Sequence, residues 1–122
     1  MKLRIKSDSI RIRLTQSEVA SLTREGEVRQ QTSFDDNACF VTRVSLGDVN
    51  RLTARLRSQG LDIIAPADQG RAWAIGDAIA LESAGRPHIL VEKDFACLHA
   101  RDGDSARNDD EDTFPRPAAG PK

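Results

Sequence analysis

Lys2-Leu3-Arg4-Ile5-Lys6-Ser7-Asp8-Ser9-Ile10-Arg11-Ile12-Arg13-Leu14-Thr15-Gln16-Ser17-Glu18 decides how the rest of the chain is read. Apolar residues alternate with charged ones through Leu3 and Ile5, pause at Lys6-Ser7-Asp8-Ser9, and resume through Ile10, Ile12 and Leu14. A period of two on both sides of a polar turn predicts a β-hairpin. Its register sends the aliphatic set to one face and Lys2, Arg4, Lys6, Arg11 and Arg13 to the other. At Thr15 the pattern changes. Thr15-Gln16-Ser17-Glu18 has the spacing of a capping box, in which Thr15 is the N-cap and Glu18 reaches back to its amide. Leu14 and Val19 flank the cap as a hydrophobic staple. A helix is therefore expected from about Gln16 to Glu25, with Gly26 as its left-handed stop.

Downstream, Glu27–Ser33 and Ala38–Ser45 read as strands around Phe34-Asp35-Asp36-Asn37, whose Asp and Asn residues favour a turn. Residues 48–59 fit two patterns. Val49, Leu52 and Leu56 make a helical stripe that Gly60 would end, but Leu52, Ala54 and Leu56 also alternate, as do Leu61, Ile63 and Ala65. Pro66 opens a short helical turn over Ala67–Trp73, with Trp73 as a core residue. A last hairpin is expected from Ala78–Glu82 and Pro87–Lys93 around Ser83-Ala84-Gly85-Arg86. No internal repeat stands out.

The sum is an α+β, mainly antiparallel fold. It is a sheet or open barrel of about eight strands, with one capped N-terminal helix packed on it and a short second helix. Residues 1–98 are expected to form a single globular domain. Residues 99–122, rich in Gly, Asp, Asn and Pro, are expected to form an acidic, disordered tail.

The chain has 122 residues, 39% hydrophobic and 30% charged, which suits one small domain. Its net charge of -1 conceals a division. Residues 1–101 carry 15 Lys and Arg against 13 Asp and Glu, whereas residues 102–122 carry 3 against 6. Nucleic-acid modules are clearly basic, and this chain is not, so nucleic acid is set aside as a partner. The absence of Tyr and the small number of aromatics argue against a base-stacking platform. The first residues lack an apolar leader and no run is long enough to span a membrane, so the expectation is a cytoplasmic protein. Cys39 and Cys97 match neither a disulfide framework nor a CxxC motif and are expected as free thiols.

Two motifs carry a resemblance. The run Ile5-Lys6-Ser7-Asp8-Ser9-Ile10-Arg11-Ile12-Arg13-Leu14-Thr15-Gln16-Ser17-Glu18-Val19 resembles the start of a family of small uncharacterised bacterial proteins, a domain of unknown function. The segment Glu92-Lys93-Asp94-Phe95-Ala96-Cys97-Leu98, followed by an acidic stretch and Phe114-Pro115, resembles that family's end. The resemblance implies a middle built of strands joined by short turns, which tips residues 51–65 toward a hairpin. It implies a fold and no activity.

Three constellations could carry chemistry. The first is the basic hairpin face, Lys2, Arg4, Lys6, Arg11 and Arg13. Like charges opposed across strands repel, so carboxylates such as Glu27, Glu92 or Asp94 must sit alongside, or the face must hold an anion in its Arg forks. A barrel with that face turned inward, like a tunnel-shaped phosphate binder, is a third arrangement.

The second is Glu92-Lys93-Asp94-Phe95-Ala96-Cys97-Leu98-His99. Cys97 and His99, two apart, would share one side of a strand and with Glu92 or Asp94 would make part of a metal or thiol site. A structural zinc wants four ligands and a nucleophilic Cys–His pair wants a third, orienting group. The competing reading is that Cys97 is buried with Phe95 and Leu98 at the end of the fold.

The third is the acidic tail. Counted from Asp102, Arg107 and Thr113 occupy the positions where a calcium loop needs Gly and Glu. What remains is a solubilising tail, or a docking peptide with Phe114 and Pro115 as its anchor.

Phosphate loops, GxSxG and HExxH motifs are absent, and two histidines leave little room for acid–base catalysis. The leading expectation is a non-enzymatic binding or accessory module whose basic β-surface takes an anionic ligand or protein partner, with no cofactor. A small metal- or thiol-dependent enzyme using Cys97 and His99 stays open. So does a structural homodimer joined through a sheet edge or the Phe95 region.

Overall fold

The computed structural model describes residues 1–95. In order they form β1 (Lys2–Lys6), β2 (Ser9–Leu14), α1 (Gln16–Glu25), β3 (Glu27–Ser33), β4 (Cys39–Gly47), β5 (Thr53–Arg57), β6 (Gly60–Pro66), α2 (Ala67–Ile75), β7 (Ala80–Ser83) and β8 (His88–Lys93). The fold is α+β with eight mostly antiparallel strands and two helices. Residues 48–59 form no helix: 48–52 are a connecting loop, and the rest belongs to the β5–β6 hairpin. The expected tail and Cys97, Leu98 and His99 lie outside the described residues.

The capping box forms as the sequence requires. Thr15 Oγ1 accepts from the Glu18 amide at 3.3 Å, and Glu18 Oε1 accepts from the Thr15 amide at 2.8 Å. Gly26 ends α1 at φ 83°, a left-handed conformation in which a side chain would be strained. Helix α2 runs two residues past the expected Trp73, to Ile75.

The strands divide into two open sheets, ordered β1-β2-β8-β7 and β3-β4-β6-β5, with no closed barrel. The tunnel arrangement is therefore ruled out: the basic residues of β1 and β2 stand on the outer face, while Ile10, Ile12 and Leu14 turn into the core. The hairpins are antiparallel, but the central pair of each sheet, β2 with β8 and β4 with β6, is parallel.

This arrangement corrects the impression that the chain has no internal repeat. The order β1-β2-α1-β3-β4 is followed by β5-β6-α2-β7-β8, and each half gives one hairpin to each sheet. Registers match as well. Lys6 faces Ser9 as Arg57 faces Gly60, and Ser9 lies beside His88 as Gly60 lies beside Val41. Hydrogen bonds outside the ladders repeat too. His88 N donates to Asp8 O at 2.8 Å, as Val41 N does to Gln59 O at 2.9 Å. Lys93 N donates to Ile79 O at 3.1 Å, as Leu46 N does to Gly26 O at 2.9 Å.

The core draws on both sheets and both helices. Ile12, Leu14 and Val91 from one sheet and Val44, Ile63 and Ala65 from the other are almost wholly buried, with Leu22 of α1 and Trp73 of α2. Trp73 satisfies its indole N–H by donating to Ile79 O at 3.0 Å, so its burial leaves no polar atom stranded.

Candidate functional site

The outer face of the first sheet gathers the basic residues named from sequence. Antiparallel register sets Arg4 opposite Arg11, Lys2 opposite Arg13 and Lys6 opposite Ser9. The carboxylates that such crowding demands come from β8 and the residue after it. Glu92 Oε1 accepts from Arg11 Nε at 2.8 Å and from Arg13 Nε at 3.2 Å, and Lys2 Nζ lies 3.6 Å from Asp94 Oδ2. Burial opposes ionisation of Glu92, but the hydrogen bonds and charge of Arg11, then Arg13, outweigh it and hold its pKa below the ordinary carboxyl range.

That network occupies the end of the face nearest α1. Toward the β1–β2 turn, Arg4, Lys6, Ser9 and Arg11 line a shallow depression of about 240 Å³. Lys6 makes no ion pair among the described residues. Asp8 in the adjoining turn is 3.8 Å from Arg86, a well-exposed pair that contributes little. Three cations and a hydroxyl around one small concavity have the donor chemistry of an anion site.

The second sheet carries a charged cluster that sequence reasoning missed. Asp62 of β6 is only 4% exposed. Both its oxygens accept from Arg43 of β4, Oδ1 from Nε at 3.3 Å and Oδ2 from Nη2 at 3.1 Å, and Arg57 of β5 donates to Oδ2 as well. The Arg43 hydrogen bond leads in holding the Asp62 pKa down, against the cost of burial and with further help from Arg57. Asp62 in turn raises the Arg43 pKa. Glu27 adds a bond to Arg43 Nη1 at 3.4 Å. Parallel register placing Arg43 beside Asp62 is the signal, and it was not visible before β4 and β6 were known to pair.

A larger concavity lies between the helices. This apolar groove of about 850 Å³ has Leu14, Val19, Ala20, Ala74, Ile75 and Phe95 on its walls, with Thr15, Gln16, Thr23, Lys93 and Asp94 completing the lining. Among these, only Asp94 and Phe95 had been named from sequence as part of a candidate site or contact surface, while Leu14, Thr15 and Val19 had been named for the cap of α1.

The four residues proposed for a metal or thiol site divide between the described chain and the remainder. Glu92 and Asp94 are engaged with basic residues of the hairpin, and Cys97 and His99 fall outside the described residues. Among the described residues no group of three or more His, Cys, Asp or Glu side chains is arranged to hold a metal ion. His88 meets Glu82 Oε2 at 2.6 Å on the exposed edge of the first sheet. No helix of the described residues is long and apolar enough to cross a membrane. Phe114 and Pro115 also lie beyond the described residues.

Neither a curated protein nor a solved structure matches the chain. A family model does match, across residues 1–118, and so takes in both terminal motifs, the paired sheets and the segment with Phe114 and Pro115. The chain belongs to this family of unknown function, DUF7009.

Proposed function

We propose that this protein is a non-catalytic binding module that takes an anionic group, phosphate or carboxylate, on the outer face of its first sheet. The observation that carries the reading is the depression lined by Arg4, Lys6, Ser9 and Arg11. Lys2 and Arg13 are set back from it and, with Glu92 and Asp94, brace the strands that present it. The roles within the basic face therefore separate. Lys6 and Ser9 meet the ligand, Arg4 and Arg11 line the depression and add positive potential there, Arg11 while held bidentate by Glu92, and Lys2 and Arg13 keep the sheet in register. The concavity is small and open, which suits one anionic group on a ligand or partner better than an enclosed substrate.

Thermal unfolding with pyrophosphate as the probe tests this reading. A ligand that binds only the folded state at ten times its Kd adds about 1.4 kcal/mol, which raises Tm by several degrees in a domain of this size. The rise is expected for the native protein and not for Lys6→Glu. An equal rise in both would refute the site.

A further inference from the structure

We propose that the groove between α1 and α2 is the docking site for the chain's own C-terminal segment, with Phe114 on the apolar walls and the acidic run Asp109-Asp110-Glu111-Asp112 against Lys93 and Arg71. The site is separate from the anion-binding depression, and the inference does not depend on it.

Three observations converge on this occupant. The first is apolar surface. Ile75 is 84% exposed and Phe95 41%, and both line the groove. Ile79, 58% exposed, is joined to the groove residue Lys93 through a backbone hydrogen bond. Two of the six large apolar side chains exposed among the described residues thus line one groove, as happens where another surface packs.

The second is where the described chain leaves off. Phe95 is both its last residue and part of the groove wall, and residues 96–122 follow directly. Eighteen residues lie between Phe95 and Phe114. A random coil of that length has a root-mean-square span of about 24 Å, so the chain is long enough to return to its own origin. Tethering gives the segment an effective concentration on the order of millimolar, enough for one aromatic anchor to dock without a high-affinity interface. Pro115 and Pro117 lower the entropy lost on ordering.

The third is charge. Lys93 Nζ donates to Gly76 O at 2.8 Å and lies 5.5 Å from the centre of the Trp73 ring. Arg71 Nη1 donates at 3.0 Å to the carbonyl oxygen of Thr23, a residue of the groove lining. Neither cation makes an ion pair among the described residues. Carbonyl partners fix these groups in place and leave their positive charge uncompensated. The chain's densest acidic run stands just before Phe114, so charge and anchor arrive together. The match to the family model extends past this segment, to residue 118.

Methyl and aromatic NMR on the full-length protein tests the proposal. Cross-relaxation is expected between the Phe114 ring and the methyl groups of Val19, Ala20, Ala74 and Ile75. Phe114→Ala should shift those methyls while leaving Val44 and Ile63 in place. Replacing Asp109, Asp110 and Asp112 by Asn and Glu111 by Gln should reduce the docked population several-fold, as should raising the salt from 0.05 to 0.5 M. Absence of Phe114 contacts in the native protein would overturn the proposal, as would contacts from Leu98 in their place. Contacts that disappear on dilution would assign the groove to a second copy of the chain and overturn it too.

Discussion

Asp62 and Arg11 occupy the same position in the two halves of the chain, and they carry opposite charges. Each is the third residue of its β6 or β2 strand, two places past the residue that closes the hairpin. Arg11 reaches across a parallel ladder to Glu92 two places on, whereas Asp62 lies directly beside Arg43. The two sheets have thus kept one topology and built inverse electrostatics on it. The first presents cations braced by an acid, and the second buries an acid beneath two arginines.

Asp62 is accordingly a structural residue. Asp62→Ala leaves Arg43 and Arg57 without their shared acceptor. Both arginines are partly exposed and regain water, so the cost should be about 1–3 kcal/mol and not that of a fully buried charge. Thermal unfolding should show a loss of roughly 4–8 °C per kcal/mol. An unchanged Tm would mean that the cluster contributes nothing net.

Acid should destabilise the protein through Asp62 and Glu92. Both carboxyls have folded-state pKa values below their ordinary range. Their contribution is present above the unfolded pKa, about 4, and is lost as pH falls through the folded value. Urea midpoints should be level above about pH 5 and should drop below about pH 4. Asp62→Asn and Glu92→Gln should each flatten that drop.

Gly60 and Ser9 occupy equivalent positions but should differ in tolerance. A Cβ at Gly60 would press into the Val41 carbonyl oxygen, a backbone atom that cannot swing aside. Gly60→Ala should cost about 1–3 kcal/mol, as overpacking does, while Ser9→Ala should leave stability nearly unchanged. Denaturant unfolding of the two variants side by side checks this.

Thr15 closes the α1 capping box, and Thr15→Ala removes the acceptor of the Glu18 amide. A loss of about 1 kcal/mol is expected, with the helical signal retained by circular dichroism.

Local patterns made the hairpins and helix α1 legible. Alternation fixed β1 and β2, and the Thr15–Glu18 spacing with Gly26 fixed both ends of α1. Other features depended on pairings between distant segments. β2 meets β8 in parallel, joining Ser9 to His88, and no local pattern records such a contact. The repeat was hidden because the strand pairs β1–β2 and β5–β6 keep only Arg4/Arg55, Ser7/Ser58 and Ile12/Ile63 identical in matching positions. Val19 of α1 corresponds to Gly70 of α2, where a Cβ would crowd the Leu46 side chain and require it to shift. The basic face was legible as a charge pattern, but that Arg11 and Arg13 share Glu92 as their acceptor required the pairing of β2 with β8. The groove draws on β2, both helices and the end of β8, and no sequence window contains it.

The anion-binding account stands most directly on which amides respond to ligand. With pyrophosphate titrated into full-length, ¹⁵N-labelled protein, saturable shifts should concentrate at residues 4–11 and disappear in Lys6→Glu. Shifts that are absent, unsaturable, or centred on another part of the molecule would contradict it.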